Sequence, residues 1–353
     1  MPVTPPPSLR PVAQAVEARL QALLDDERQR WSSLDPALDR AFAEISRLVL
    51  SGGKRLRPAF CRWGYVGAGG DPSADAVVDA GAAIELMHAF ALFHDDVIDD
   101  AATRRGAPTT HVVAADEHRR EGWAGEARRF GEGLAILVGD LAFVYADELL
   151  RDAPPAAWAI WNELRIELNV GQYLDVLGSV QRRRDLATAE RICRYKSGKY
   201  TIERPLHLGA VLAAPDRADE LLPALSAYGL PLGDAFQMRD DVMGAFGDAD
   251  ATGKPVGGDL IEGKPTPLLA RAYAAADTAQ RVVLDAVGTP EITLEQVGEV
   301  QEVIVATGAL ADLEAHIRQL ADRAVAALDA APITTEASAA LAELADYVTA
   351  RTS

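Results

Sequence analysis

Apolar residues recur at helical spacing along almost the whole of this chain, and strand signals are nearly missing; no other feature narrows the possible folds as far. Val12, Val16, Leu20, Leu23 and Leu24 form the apolar stripe of a first helix. The same pattern predicts helices over about 35–50, 57–67, 74–100, 131–151, 156–180, 186–212, 217–246, 267–276, 294–307, 310–330 and 336–349. Alanine is abundant, aromatics make up 6%, and no stretch alternates apolar and polar residues between tight-turn dipeptides. The chain therefore reads as all-α. Several helices are long and apolar around most of their circumference, notably Ala82 to Phe93, as expected of helices at the centre of a bundle. No linker or composition break divides residues 1–353, so a single domain is expected, with residues 1–8 as a flexible, Pro-rich start.

At 353 residues, 49% apolar and 25% charged, the chain can bury a large core. Its net charge of -18 repels polyanions, which argues against nucleic acid as a partner. An acidic substrate must then be held by a few placed cations and metal ions. Cys61 and Cys193 are far apart and lack metal-ligand spacing, so two buried free thiols and a reducing cytoplasm are expected. The start Met1-Pro2-Val3-Thr4-Pro5 does not look like an export signal, and the apolar runs are interrupted by residues such as Asp79, Glu85 and Asp140. No membrane span is expected.

The chemistry concentrates in two acidic segments. The first, Asp95-Asp96-Val97-Ile98-Asp99, ends a buried-looking helix, with Asp95 and Asp99 on one face a turn apart. Like charges at that spacing destabilise a helix, and no Lys or Arg inside the segment relieves them. Mg²⁺ is the natural neutraliser, because it takes hard oxygen ligands from one or two carboxylates, water and bound phosphate. A solvated acidic helix end would also carry such a pattern, but Arg104 and Arg105 follow closely, and arginine suits bidentate phosphate binding. His88 lies two turns before Asp95 on the same face, whereas His94 and His111 have no such registration. Upstream, Gly52-Gly53-Lys54-Arg55-Leu56-Arg57 sets a glycine pair before a cationic cluster in which Lys54 and Arg57 can converge on one anion. The second acidic segment, Asp240-Asp241-Val242-Met243-Gly244, follows Gln237 and precedes a Gly-rich run containing Lys254 and Lys264. Lys196 and Ser197 add a cation and a hydroxyl, and Gly171-Gln172-Tyr173-Leu174-Asp175 places polar groups on an apolar helix.

In order and spacing, GGKRLRP, DDVIDDAATRRGAPT, GQYLD, FQMRDD and FGDADATGKPVGGDLIEGKPT resemble the trans-prenyl diphosphate synthases of the polyprenyl synthetase family, most of all short-chain members found in actinobacteria. The resemblance runs from about Gly52 to Thr266. It implies a single large helical bundle of the isoprenoid synthase type, usually a homodimer, with a deep central cavity and the two aspartate segments across its mouth. Carried over position by position, it assigns Asp95, Asp96, Asp99, Asp240 and Asp241 to a set of three Mg²⁺ ions that bridge the diphosphate of an allylic substrate. Arg104, Lys196, Ser197, Gln237 and Lys254 would bind that diphosphate, and Lys264 would close over it. Lys54, Arg57, His88 and Arg105 would form the site for isopentenyl diphosphate.

In resembling enzymes the residues five and four positions before the first motif help to set product length; here they are Phe90 and Ala91. One bulky residue followed by a small one resembles geranylgeranyl more than farnesyl diphosphate synthases. Plain core packing would also explain Phe90, and Tyr200, one turn beyond Lys196, is undecided between cavity and core. Two rival functions share parts of this pattern. A class I terpene cyclase would ionise an allylic diphosphate but would not need Lys54, Arg57, His88 and Arg105. A catalytically weak regulatory subunit finds support in Gly244, which stands where the second motif would have its third aspartate.

Overall fold

The computed structural model describes residues 5–247 and 257–350, and these are almost entirely helical. They divide into two compact units, one built from Pro7–Arg62 with Asp71–Pro154, the other from Trp63–Gly70 with the chain from Pro155 onward.

The first unit contains α1 (Arg10–Ser32), α2 (Asp39–Leu50), the start of α3 (Leu56–Gly67), α4 (Asp75–Ile98), α5 (Thr110–Glu121) and α6 (Ala127–Leu149). Helix α4 is its centre. From Ala80 to Met87 every residue is buried, which matches the all-round apolar sequence of a core helix. Its length and composition would also allow a membrane crossing, but most of its apolar window is packed inside the protein, and Glu85 and Asp96 are buried on it. Sequence periodicity did not announce α5, whose apolar residues Val112 to Ala115 are consecutive rather than spaced. It is stopped by Gly122 in the left-handed conformation, φ 64°, whose N–H caps the last turn. One pair of two-residue strands, β1 (Thr103–Arg104) and β2 (Ala107–Pro108), forms a small antiparallel hairpin between α4 and α5.

The second unit contains α7 (Pro155–Val180), α8 (Leu186–Ile192), α9 (Arg204–Ala213), α10 (Ala218–Phe246), α11 (Gly258–Glu262), α12 (Pro267–Ala275), α13 (Thr278–Leu284), α14 (Leu294–Ala306), α15 (Ala309–Ala327) and α16 (Thr335–Thr349). Side-chain caps fix several starts, including reciprocal capping boxes at Asp277/Gln280 and Thr293/Gln296. Its core joins Met238, Val242 and Ala245 of α10 to Leu268, Leu269, Val300, Ile304, Leu313 and Ile317. The continuous helix expected over 186–212 is in fact three pieces, because residues Cys193–Glu203 wind as a π-helix between α8 and α9. Extended π-helical winding is rare and often marks functional positions. Both cysteines are buried free thiols, and burial alone raises Cys61 to about 12.

Candidate active site

The first aspartate segment belongs to the first unit. Asp95 and Asp96 sit in the last turn of α4, and Asp99 caps the helix with its N–H donated to the Asp95 carbonyl at 2.8 Å. The chain then turns through Asp100 at φ 49° into the hairpin, whose tip, Arg105 at φ 51° and Gly106 at φ 75°, has the two positive φ angles of a tight two-residue connection. Thr109 closes the loop by donating its hydroxyl to the Ala101 carbonyl at 2.7 Å. This path returns Arg104 to α4, where Nε lies 2.6 Å from Asp96 Oδ1 and a terminal nitrogen 3.2 Å from Asp95 Oδ2.

That contact brings to Asp95 and Asp96 the cation that the segment itself lacks. Relief comes from beyond the helix, by way of a hairpin that periodicity could not reveal. Burial raises the Asp96 carboxyl, and Arg104 opposes that rise. Beside them lies a cavity of about 130 Å³ lined by Arg47, Ser51, Phe93, Asp96, Arg104 and Arg105 among others.

Arg105 reaches the other way and donates to Ser51 Oγ at 3.0 Å and to the Gly52 carbonyl at 2.6 Å, tying the glycine loop to the hairpin. Within that loop Arg55 is the residue that sequence reading passed over. At φ 48° it turns inward, is only 5% exposed, pairs with the buried Glu85 of α4 and with Glu17 of α1, and donates to the Val49 carbonyl. Its role is to anchor the loop, leaving Lys54 exposed and Arg57 half-buried in the first turn of α3. His88 is pushed well below the ordinary histidine range by burial and by Arg57, Arg105, Arg104 and Arg55, in that order. A neutral imidazole among four guanidiniums marks a strongly positive locality suited to an anion. Phe90 packs its ring 4.7 Å from Phe143 of α6 and 4.6 Å from His94 of its own helix, and Ala91 beside it is half-buried. His94 Nε2 is 3.1 Å from the Ile136 carbonyl.

The second aspartate segment belongs to the second unit. Lys196 and Ser197 lie on the π-helical segment, which runs directly against α7. A Cβ at Gly171 would fall 2.3 Å from the Lys196 backbone nitrogen, so only glycine permits this approach. One turn on, Asp175 receives a hydrogen bond from the Lys196 ammonium. One turn back, Glu167 accepts from Lys199 and takes both arms of Arg204, at 2.7 and 2.8 Å. Tyr200, left undecided by the sequence, is buried. On α10, Gln237 donates to Asp241 at 2.8 Å. The Asp241 carboxyl is driven well above its usual range by burial, then by the charge of Asp259, against the Gln237 hydrogen bond, with Asp240 and Asp175 adding to the rise. Lys264 holds Glu262 at 2.6 Å and lies 3.6 Å from Asp259. Lys254 falls outside the described residues.

Among the described residues, no three carboxylate, imidazole or thiolate groups converge closely enough to enclose a metal by themselves. The donor set still fits Mg²⁺, which takes few protein carboxylates and completes its octahedron with water and substrate phosphate. Carboxylates crowded enough to raise one another's proton affinity, as at Asp241, are the groups a divalent cation would relieve. Asp175 and Asp259 stand close enough to Asp241 for their charges to act on it. Their sequence signal was position: Asp175 one turn from Gly171, and Asp259 directly after the Gly257-Gly258 pair.

The chain matches the family model described as polyprenyl synthetase over residues 39–306. It is 32% identical to a geranylfarnesyl diphosphate synthase of Aeropyrum pernix, covering 93% of this chain and 99% of that protein. Against a geranylgeranyl diphosphate synthase of Saccharolobus solfataricus it is 31% identical over 73% of this chain and 74% of that one. Among solved structures, a geranylgeranyl pyrophosphate synthase from Corynebacterium glutamicum, complexed with isoprenyl diphosphate and magnesium, superposes with a TM-score of 0.90 at 37% identity, covering 97% and 99% of the two chains. A polyprenyl synthase from Caulobacter crescentus, complexed with calcium and isoprenyl diphosphate, gives 0.78 at 29% identity and 98% of each chain.

Proposed function

Because this chain belongs to the polyprenyl synthetase family, we propose that it is a trans-prenyltransferase that condenses isopentenyl diphosphate with an allylic diphosphate, with geranylgeranyl diphosphate as its main product. The observation that carries the reading is the pairing, in each unit, of a carboxylate suited to Mg²⁺ with a cation suited to a diphosphate: Asp95 and Asp96 with Arg104, and Asp175, whose charge also acts on Asp241, with Lys196.

In the reaction the allylic C–O bond breaks, leaving an allylic cation and pyrophosphate. The double bond of isopentenyl diphosphate attacks that cation, and the proton then lost goes to the departing pyrophosphate. Bound Mg²⁺ supplies Lewis-acid stabilisation of the leaving group and would be held by Asp95, Asp96, Asp99, Asp240 and Asp241, as a set of three ions with substrate present. Arg104, Lys196, Ser197, Gln237 and Lys254 hold the allylic diphosphate, and Lys264 closes over it. Arg104 and Lys196 rest on carboxylates without substrate, so they are already oriented when phosphate oxygens replace those partners. Lys54, Arg57, His88 and Arg105 hold isopentenyl diphosphate, with His88 neutral and able to accept or donate a hydrogen bond. Apolar walls around Phe90 and Phe93 exclude water from the cation.

The product assignment is supported by relatives named for geranylgeranyl products and by Phe90 followed by Ala91; farnesyl diphosphate is the second reading. A class I terpene cyclase is disfavoured by the Arg57, His88 and Arg105 cluster, and a regulatory subunit by the complete first aspartate segment. The family match crosses both compact units, which supports treating the chain as one domain. A homodimer in the cytoplasm completes the proposal. The test is to incubate the pure chain with Mg²⁺, isopentenyl diphosphate and the five-, ten- or fifteen-carbon allylic diphosphate, and to measure product length. Twenty-carbon product is expected; products of thirty carbons or more would refute the length assignment, and no condensation would refute the activity.

A further inference from the structure

The second aspartate segment departs from the first at Gly244, where a carboxylate would stand one helical turn beyond Asp240. The space is not empty. A Cβ built on Gly244 would lie 1.9 Å from Oδ2 and 2.5 Å from Cγ of Asp259, so the carboxylate of Asp259 already occupies the place into which a side chain at 244 would grow. This carboxylate comes from another element, the short helix α11, bounded by Gly257 and Gly263, both at φ 73°. Its backbone is fixed by the Lys264 N–H, which donates to the Asp259 carbonyl at 3.0 Å, and its side chain lies 3.6 Å from the Lys264 ammonium.

We infer that Asp259 is the third carboxylate of the second metal-binding segment, delivered through the opening that Gly244 leaves on α10. The inference rests on the proposed function and deepens it: Gly244 is then the means by which a carboxylate from α11 replaces one from α10, and not a loss. It also joins the cation to the lysine expected to close over the leaving group, because the Lys264 N–H and ammonium both lie against Asp259. The ligand is a divalent cation of the Mg²⁺ class, with pyrophosphate oxygens as its remaining partners.

Either substitution of the pair should produce the same defect. Asp259→Asn removes the charge while keeping the shape, and Gly244→Ala places a methyl group where the carboxylate sits. The experiment titrates Mn²⁺ into each folded protein with inorganic pyrophosphate and reads free Mn²⁺ by electron paramagnetic resonance. Both variants should weaken the pyrophosphate-dependent Mn²⁺ site about tenfold or more, and the double variant should be no weaker than Asp259→Asn alone. Wild-type Mn²⁺ affinity in either single variant, or additive losses in the double variant, overturns the inference. If Gly244→Ala does not fold, Asp259→Asn and Asp259→Ala decide it by the same criterion. Wild-type protein assayed in parallel with isopentenyl and geranyl diphosphates separates the two levels. A wild type that makes product beside variants with normal Mn²⁺ binding refutes Asp259 alone, whereas a wild type that makes none removes the function and this inference with it.

Discussion

At the scale of single residues, the site turns on which charges face each other before substrate arrives. Arg104 already lies on Asp95 and Asp96, so in the proposed reaction ligand binding would exchange an internal ion pair for metal and phosphate contacts rather than assemble charges from solvent. Asp95→Ala is expected to lower Mg²⁺-dependent turnover by about 10³-fold or more with little change in melting temperature, as measured by pyrophosphate release beside a thermal melt. Near-normal turnover would sink the metal role. Phe90 makes a different kind of prediction. Its ring fills space between His94 and Phe143, and Phe90→Ala should lengthen the product by one or more five-carbon units. If product analysis shows an unchanged length and the protein is merely less stable, Phe90 is a packing residue.

At the scale of elements, α7 grips the π-helical segment and the start of α9 at three points a turn apart: Glu167 on Lys199 and on Arg204 of α9, Gly171 on the Lys196 backbone, and Asp175 on the Lys196 ammonium. The grip sets where Lys196 stands. Gly171→Ala puts a methyl group into backbone, which should cost about 1–3 kcal/mol in denaturant unfolding and raise KM for the allylic diphosphate more than for isopentenyl diphosphate. Equal changes in the two KM values would deny the link between this contact and Lys196. The Arg55–Glu85 pair performs a similar service for the glycine loop. Removing one partner of a buried pair strands the other charge, so its loss should be felt in stability and in isopentenyl diphosphate binding together.

At the scale of the whole molecule, two properties can be tested. His207 is held neutral, its value lowered to about 3 by burial and then by Arg204, with Nε2 set 3.1 Å from the Leu222 carbonyl. Because the unfolded chain protonates this histidine near pH 6.5 and the folded one does not, its contribution is full above that pH and shrinks as pH falls towards 3. Between pH 7 and pH 5 the loss should be about 2 kcal/mol in urea unfolding, and His207→Gln should flatten that part of the profile. Ile166, Val170, Tyr173, Leu177 and Val180 form an exposed apolar stripe along α7, and Leu137 and Val144 another on α6. Such stripes suit burial against a second copy of the chain. If the proposed homodimer forms through these stripes, Val170→Glu is expected to shift the mass in light scattering from that of two chains to that of one, and an unchanged two-chain mass would deny α7 a part in it.

The helical class, most helix boundaries, the two carboxylate segments and the cations near them were legible in the sequence, because helical periodicity and motif spacing are local properties of a chain. Periodicity missed α5, where four apolar residues are consecutive, and it read 186–212 as one helix because a π-helix differs from an α-helix in hydrogen-bond register, not in composition. It took the packed chain to show that Arg104 folds back on Asp95 and Asp96, that Arg55 is an anchor while Lys54 remains exposed, and that Asp175 holds Lys196. The same holds for Gly244 and Asp259, fifteen positions apart in sequence yet sharing one space. Each of these is a contact between elements, set by where packing brings the backbones together, and no spacing within either element carries that information.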